Sequence, residues 1–179
     1  MDEFYEIEVA GLKRKLPVCP LNDKMSIAAF IMFGDVELTE KCAKELLAKM
    51  PEFDVIITPE AKSIPLAYEM SRLSGKKYIV ARKYPKLYMK NIHKVSVKSI
   101  TTDKLQTLYI DGTEAAALKG RKVAIVDDVI STGESVSAVK KLVDEAEGNI
   151  ACMACVLAEG DAAKRDDIIF LKELPLIFK

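Results

Sequence analysis

Two adjacent acids, Asp127 and Asp128, stand shortly before a run of small and hydroxylated residues from Ser131 to Ser135. An apolar run, Val123–Val126, precedes the acids, and a segment with helical periodicity follows the hydroxylated run. Free N–H groups and hydroxyls at a helix start, with the positive end of the helix dipole, bind phosphate. Carboxylates beside such a cradle bind a ligand that also offers hydroxyls or carries magnesium. The pattern therefore predicts a site for a ribose 5-phosphate.

The phosphate cradle is assigned to the residues Ser131, Thr132, Gly133, Glu134 and Ser135. Gly133 lets the backbone approach an anion closely, because it has no side chain. The alternative is a strand that ends in two solvated acids, followed by a helix capped by Ser131 or Thr132. The two acids and the hydroxylated run occur together, at the end of the same strand, and this combination favours a binding site over the alternative. The rival P-loop pattern, G-x-x-x-x-G-K followed by Ser or Thr, does not occur in the chain.

Charged residues also follow two other buried strands. Glu60, Ala61 and Lys62 come after the apolar run Asp54–Thr58, and three cations follow the strand Lys77–Ala81, namely Arg82, Lys83 and Lys86. Standing alone, these cations would be a solvated surface cluster. Because parallel sheets bind ligands at the carboxyl ends of their strands, this placement instead favours anion binding.

The elements that must position these residues alternate between strands and helices from about residue 39 onward. A helix capped by Thr39 and a helix over Ile64–Leu73 are predicted, together with a strand at Ile150–Leu157. Val95–Ile100 and Leu105–Ile110 are predicted to form a strand pair. The alternation predicts an α/β fold with a mostly parallel central sheet and helices on both faces. We expect one domain over residues 1–179, in which residues 1–35 form a small separate element.

Composition excludes several classes of protein. The 27 basic and 27 acidic residues leave no positive excess for nucleic acid. The N-terminal residues do not resemble a secretory signal, and no apolar run is long enough to span a bilayer. We therefore expect a cytoplasmic protein without membrane or nucleic-acid partners. Its four cysteines, Cys19, Cys42, Cys152 and Cys155, are expected to be reduced and buried, with the last two on opposite faces of one strand.

The run Val123–Ser135 (VAIVDDVISTGES) resembles the phosphoribosyl-pyrophosphate signature of the type I phosphoribosyltransferases. The resemblance implies that Asp127 and Asp128 bind ribose hydroxyls, and reach magnesium indirectly through ligand or water, while the cradle binds the 5-phosphate. Thr58–Pro65 is similar to the pyrophosphate loop of the adenine and xanthine enzymes, with Lys62 in place of their arginine. Ala81–Leu87 resembles their R-K-x-x-K-L string, which implies that Arg82, Lys83 and Lys86 also hold pyrophosphate.

The resemblance also implies a flexible hood over Tyr88–Gln106, which closes on the bound substrates and excludes water. Adenine enzymes carry a glutamate in this hood, and the alignment places Thr102 there with Asp103 beside it. Asp103 is therefore the candidate catalytic residue. His93, the one histidine, is given no role because a histidine in such a loop commonly faces solvent.

The resemblance implies a purine phosphoribosyltransferase of purine salvage that uses phosphoribosyl pyrophosphate with Mg²⁺, and a homodimer. Adenine is the first candidate base, because Ser131 stands where hypoxanthine–guanine enzymes carry an aspartate. Xanthine is second. The apolar stretch Leu16–Phe33 could wall the base, but nothing in it is diagnostic. The alternative from another class is a regulator that senses phosphoribosyl pyrophosphate without catalysis.

Overall fold

The computed structural model describes residues 3–98 and 105–178 of the chain. Its helices are α1 (Val36–Lys49), α2 (Ile64–Ser74), α3 (Gly112–Leu118) and α4 (Glu134–Glu145). Its strands are β1 (Phe4–Val9), β2 (Leu12–Asn22), β3 (Met25–Ala28), β4 (Val55–Pro59), β5 (Lys77–Ala81), β6 (His93–Lys98), β7 (Leu105–Ile110), β8 (Lys122–Ile130), β9 (Asn149–Glu159), β10 (Ile169–Leu174) and β11 (Ile177–Phe178).

The central sheet has the strand order β10-β9-β8-β4-β5, and every neighbouring pair is parallel. Its middle strands are continuous apolar runs because helices cover both faces. One face packs against α3, α4 and the antiparallel hairpin β6–β7. The other face packs against α1, α2 and the N-terminal strands. The α/β fold with a parallel central sheet, predicted from the alternating elements, is confirmed.

A second, antiparallel sheet with the order β1-β2-β3-β11 contains the first strands and the last one. Ile7, Val9 and Leu16 on this sheet are buried in the same hydrophobic cluster as α1 and α2. No helix within residues 3–98 and 105–178 is long and apolar enough to cross a membrane.

Helix α1 begins earlier than the sequence pattern predicts. Asp35, not Thr39, is its N-cap, and its carboxylate accepts a hydrogen bond from the Leu38 amide at 3.1 Å. Arg14 donates to the same carboxylate through Nε at 2.6 Å and Nη2 at 3.0 Å. A charged acceptor at the N-cap is favoured over a hydroxyl one turn later, and Arg14, distant in sequence, fixes it in place.

Strand β8 is longer than the predicted strand Val123–Val126, because it continues through both acids to Ile130. Backbone pairing with β9 continues at Asp127 with Cys155 and at Ile130 with Ala158. The helix predicted to open within the run Ser131–Ser135 begins at Glu134. Gly133 is the N-cap of α4, with a left-handed φ of 80°, and residues 131–133 form the connection.

The cysteine prediction is wrong for Cys19, which is exposed on β2. Cys42 and Cys155 are buried, Cys152 is half-buried, and all four thiols are free. Cys152 packs on the α1/α2 side of the sheet, whereas Cys155 lies in the core on the α4 side. The pair therefore points to opposite faces, as the strand periodicity predicts.

Candidate functional site

The loops after β4, β5 and β8 meet at the carboxyl edge of the central sheet. Thr58 Oγ1 lies 2.8 Å from the Val126 carbonyl oxygen, which ties the end of β4 to β8. The Glu60 amide donates to the Ala81 carbonyl at 2.9 Å, which ties the same loop to the end of β5. The three segments that the sequence singled out for chemistry therefore form one site.

The acid pair lies at the centre of this edge and is nearly inaccessible to water. Asp127 is 7% exposed and Asp128 is 3% exposed. Burial raises the pKa of Asp127 well above its usual range, and the neighbouring Asp128 charge adds to this shift. The Asp128 amide, 2.9 Å from Asp127 Oδ1, and the Ser63 hydroxyl act in the opposite direction. A buried pair of this kind favours a ligand that brings hydroxyl donors or a cation.

Lys62 lies beside the second acid. Its Nζ is 2.8 Å from Asp128 Oδ2, and half of the Lys62 side chain is exposed while the Asp128 side chain is 4% exposed. Within the part of the chain that the structure describes, Oδ2 has no hydrogen-bond partner, because the ammonium approaches it outside hydrogen-bonding geometry. The ion pair with Lys62 partly neutralises this buried oxygen, and a ligand hydroxyl can replace the ammonium as its partner.

Two buried hydroxyls shape the loop after β4. Ser63 Oγ donates to the Pro59 carbonyl at 3.1 Å, and Thr58 Oγ1 lies 2.7 Å from Ser63 Oγ. The peptide bond between Glu60 and Ala61 in this loop is cis. Ser63 was missed by the sequence interpretation. Its signal is weak, since it is one serine directly before a helix.

Glu60 contacts the loop after β5 through its carboxylate. Its Oε2 accepts a hydrogen bond from the Lys83 amide at 2.9 Å, and its Oε1 lies 3.7 Å from Arg82 Nη1. Arg82 itself is half-buried and exchanges two 2.8 Å backbone hydrogen bonds with Tyr109. The side chains of Lys83 and Lys86 are exposed at the same edge. Together with Lys62, these cations give the edge a positive rim.

The predicted cradle occupies the turn between β8 and α4. Ser131, Gly133, Glu134 and Ser135 are half-buried, and Thr132 is exposed. Gln106 Nε2 on β7 donates to Ser135 Oγ at 3.3 Å. The predicted hood is therefore joined to the cradle by a side-chain hydrogen bond that sequence alone does not reveal.

A cleft of about 330 Å³ opens beside the cradle. Thr132, Gly133 and Glu134 form one wall, and Arg165 and Asp167, from the segment after β9, form another. Arg165 lies so close to Gly133 that a Cβ atom on the glycine would be 2.7 Å from Nη1. Sequence reasoning missed Arg165, because nothing in the motif points to a residue so far downstream.

The catalytic residue that the resemblance implies is not tested by this geometry, because Thr102 and Asp103 lie outside the described residues. His93, expected in a loop and facing solvent, is instead half-buried at the start of β6, opposite Ile110. Across residues 3–98 and 105–178, no three His, Cys, Asp or Glu side chains are grouped so that they could hold a metal ion by themselves.

Comparison with known proteins gives matches over most of the chain. A family model described as "Phosphoribosyl transferase domain" matches residues 36–176. The chain is 36% identical to a hypoxanthine/guanine phosphoribosyltransferase of Methanococcus voltae over 112 residues, which are 63% of this chain and 56% of that protein. It is 32% identical to an adenine phosphoribosyltransferase of Petrotoga mobilis over 117 residues, which are 65% of this chain and 64% of that protein. The match thus spans less than two thirds of either relative's length.

A solved structure shows the same fold at lower sequence similarity. The crystal structure of adenine phosphoribosyltransferase from Thermoanaerobacter pseudethanolicus has a TM-score of 0.65 to this chain at 23% identity. The superposition covers 95% of both chains. At this identity the likeness concerns the fold alone.

Proposed function

Since the chain belongs to the phosphoribosyl transferase domain family, we propose that it transfers ribose 5-phosphate from phosphoribosyl pyrophosphate to a purine base. The observation that carries the proposal is the buried Asp128 Oδ2, which has no hydrogen-bond partner among the described residues and lies 2.8 Å from Lys62 Nζ. An acceptor and a cation at this distance match a ligand that carries hydroxyls next to a pyrophosphate. Family membership and local geometry thus support the same ligand.

The acids of β8 take the ribose. Asp128 Oδ2 accepts a hydrogen bond from a ribose hydroxyl, and Asp127 accepts a second one when it is ionised. The backbone pairing of β8 with β9 holds both carboxylates in fixed positions. Because both carboxylates are buried, their hydrogen bonds to the ribose hydroxyls form away from water and orient the sugar.

The positive rim takes the pyrophosphate. Lys62, Arg82, Lys83 and Lys86 surround the ends of β4 and β5, and Glu60 holds the Lys83 backbone in place. Ala61 belongs to the loop after β4 and is assigned to pyrophosphate through its backbone. Cations at this position stabilise the charge that develops on pyrophosphate as the bond to the sugar breaks.

The reaction exchanges one bond at the ribose C1 atom. The bond from C1 to the pyrophosphate oxygen breaks, and its electron pair leaves with pyrophosphate. A purine nitrogen forms the new bond to C1 and gives up its proton to a general base, for which Asp103 is the candidate. The transition state is oxocarbenium-like, as in other glycosyl transfers, so the carboxylates near the sugar stabilise its positive charge. The chain thus contributes charges of opposite sign at the two ends of the breaking bond.

Magnesium fits these residues as a companion of the ligand. The described residues hold no cluster of three acids or histidines that could bind the ion alone, whereas Asp127 and Asp128 offer carboxylate oxygens toward the ligand. The two acids would reach the ion through ribose hydroxyls or water, and the ion would supply positive charge to the departing pyrophosphate.

Adenine is the base that we propose, with xanthine as the alternative. Ser131 stands where an acid would serve a 6-oxopurine, so the chain offers no carboxylate at that position. Hypoxanthine or guanine is a further candidate, because the Methanococcus voltae relative is named for those bases. The Petrotoga mobilis relative is named for adenine. The homodimer, the cytoplasmic location and the arrangement as one domain with a small N-terminal element stay predictions.

The test is a product assay with phosphoribosyl pyrophosphate, Mg²⁺ and five separate bases: adenine, hypoxanthine, guanine, xanthine and orotate. We expect a nucleoside monophosphate and pyrophosphate with adenine at the highest kcat/KM. Turnover with orotate alone would contradict the purine assignment. Tight binding of phosphoribosyl pyrophosphate without product from any base would favour the non-catalytic sensor.

A further inference from the structure

The phosphate cradle carries no positive side chain of its own. Residues 131–135 read Ser-Thr-Gly-Glu-Ser, and the two acids of β8 precede them. The cations of the positive rim lie on the loops after β4 and β5, where the proposed pyrophosphate binds. A cation beside the two acids of β8 would strengthen the binding of a phosphate dianion beyond what backbone N–H groups provide. The candidate for that cation comes from another part of the chain.

Arg165 lies directly on the cradle. Its Nη1 is 2.7 Å from the position that a Cβ atom on Gly133 would occupy, so the guanidinium rests against the glycine backbone at the N-cap of α4. The space exists only because residue 133 has no side chain. Gly133 therefore serves two requirements at once, a φ of 80° and room for an arginine.

Asp167 fixes the orientation of this guanidinium. Its Oδ1 accepts from Arg165 Nε at 2.8 Å, and its Oδ2 accepts from Nη2 at 2.8 Å. The remaining nitrogen, Nη1, faces Gly133 and has no hydrogen-bond partner among the residues that the structure describes. A guanidinium held on one edge presents its other N–H donors in a defined direction at little entropic cost.

Arg165 and Asp167 both border the cleft beside the cradle. Arg165 is one third exposed and Asp167 about half exposed, so a ligand in the cradle can reach the arginine from solvent. The segment that carries the pair is itself held, since the Arg165 amide donates to the Ala162 carbonyl at 3.1 Å and Ala162 is buried. The arginine is thus placed by backbone and side-chain contacts before any ligand binds.

We infer that Arg165 is the cation of the phosphate cradle and donates through Nη1 to the 5-phosphate of the bound sugar. This inference rests on the proposed function. It gives the two charged ends of phosphoribosyl pyrophosphate separate cations: Arg165 for the 5-phosphate and the positive rim for the pyrophosphate. Asp167 is a positioning residue that acts through Arg165.

The test compares two ligands, ribose 5-phosphate and pyrophosphate with Mg²⁺, by titration calorimetry. Arg165→Met removes the charge and keeps a stem of similar length. Loss of a hydrogen bond between charged groups predicts about 10- to 100-fold weaker binding of ribose 5-phosphate. Pyrophosphate should change by less than about twofold, because its cations are untouched. Arg165→Lys should give an intermediate loss, because it keeps the charge without the fork.

Lys164→Met is the matched control. This neighbouring cation is paired with Asp161 at 2.7 Å, its side chain is 81% exposed, and it does not line the cleft. We expect it to leave both affinities unchanged. An equal loss for ribose 5-phosphate in the Lys164 and Arg165 variants would overturn the inference, because it would show a general charge effect.

Further outcomes of the titrations also decide whether the inference about Arg165 holds. Unchanged ribose 5-phosphate affinity in folded Arg165→Met overturns the inference, and so does an equal loss of both ligands, which marks a structural role. If Arg165→Met does not fold, Asp167→Asn must weaken ribose 5-phosphate selectively, and failure to do so overturns the inference. If the wild-type protein binds neither ligand, the proposed function fails and the inference fails with it. If instead the wild-type protein binds both ligands and the Arg165 variant binds them equally well, only the inference about Arg165 fails.

Discussion

The ammonium group of Lys62 lies 2.8 Å from Asp128 Oδ2. A residue assigned to pyrophosphate is therefore paired with a residue assigned to ribose. Binding of phosphoribosyl pyrophosphate must replace this pair with two new ones, between Lys62 and phosphate and between Asp128 and hydroxyl. The protein without ligand thus keeps a buried carboxylate partly neutralised by a side chain that is half in solvent.

Lys62→Ala should weaken phosphoribosyl pyrophosphate and pyrophosphate by about tenfold or more, since a charge-assisted contact is lost. Ribose 5-phosphate lacks the pyrophosphate, so its affinity should change far less than that of the other two ligands. Titration calorimetry of the three ligands measures the difference. Lys44→Ala on α1 changes an exposed lysine outside the site and serves as the control. Equal losses for all three ligands would show that Lys62 does not read pyrophosphate.

Replacing both acids, Asp127→Asn with Asp128→Asn, should abolish binding of phosphoribosyl pyrophosphate with Mg²⁺. The amides keep the shape but remove the charge and half of the acceptor capacity that the ribose hydroxyls need. Calorimetry on the variant, with circular dichroism to verify folding, gives the answer. Asp144→Asn on the exposed side of α4 is the matched acid-to-amide control. Wild-type affinity in the folded double variant would refute the central assignment.

Asp127 should also make the stability of the unliganded protein depend on pH. Burial raises its pKa in the folded state above the ordinary value of 3.8, so between these two values the folded state binds more protons than the unfolded state. The free energy of unfolding therefore falls as pH rises through this window, by at most about 1.4 kcal/mol per pH unit, and levels off above the raised pKa.

Asp127→Asn should remove this component and make the free protein more stable than wild type at neutral pH. Urea unfolding of both proteins from pH 4 to pH 8 measures the two slopes. Identical slopes would mean that Asp127 does not carry the buried proton. If this one variant is more stable and also binds the ligand more weakly, Asp127 serves ligand binding at a cost in stability.

The hairpin β6–β7 should become more protected when substrates bind. It packs on α4 through Val95 and Leu108, and Gln106 reaches the cradle residue Ser135 at 3.3 Å. A lid comes from the less stable part of a structure, so its amides should exchange quickly without ligand. Hydrogen exchange across Tyr88–Gln106, with and without phosphoribosyl pyrophosphate and a base analogue, tests this. Equal hydrogen exchange with and without ligand would contradict the prediction that this segment closes over the substrates.

Asp103→Asn tests the catalytic residue that the resemblance implies. Because Asp103 lies outside the described residues, this prediction depends on the sequence alone. General acid–base assistance contributes about a hundred- to ten-thousand-fold in rate, so kcat should fall within that range while phosphoribosyl pyrophosphate still binds. A fall in kcat of less than about threefold would assign Asp103 to an ordinary solvated turn.

Four strands of the central sheet, β4, β5, β8 and β9, were predictable because buried parallel strands are continuous apolar runs. The order of strands and the extent of β8 were not. Two adjacent acids normally end a strand, and only the pairing of Asp127 with β9 shows that this one continues. Helix α3 was also missed, because a seven-residue helix with an Asp111–Glu114 capping box is too short for a periodic signal.

The candidate site was predictable where its residues are close in sequence, as in the cradle and the loop after β4. It was not predictable where two distant segments approach each other. Two such contacts are Arg165 with Gly133 and Gln106 with Ser135. They arise from the tertiary structure, and no spacing in the sequence predicts them. Glu60 was found by resemblance, but its bracing of the Lys83 amide became visible only in three dimensions.

The uneven exposure of the four cysteines makes the native chain suitable for labelling at a single position. Burial raises the pKa of Cys42 and Cys155 to about 12 and that of Cys152 to about 11, so these thiols stay protonated and unreactive at neutral pH. Cys19 is the one cysteine of the four that is exposed, whereas Cys152 is only half-buried and has a raised pKa. A maleimide fluorophore should therefore attach to β2 without any engineered residue, and report from the N-terminal sheet while substrates bind elsewhere.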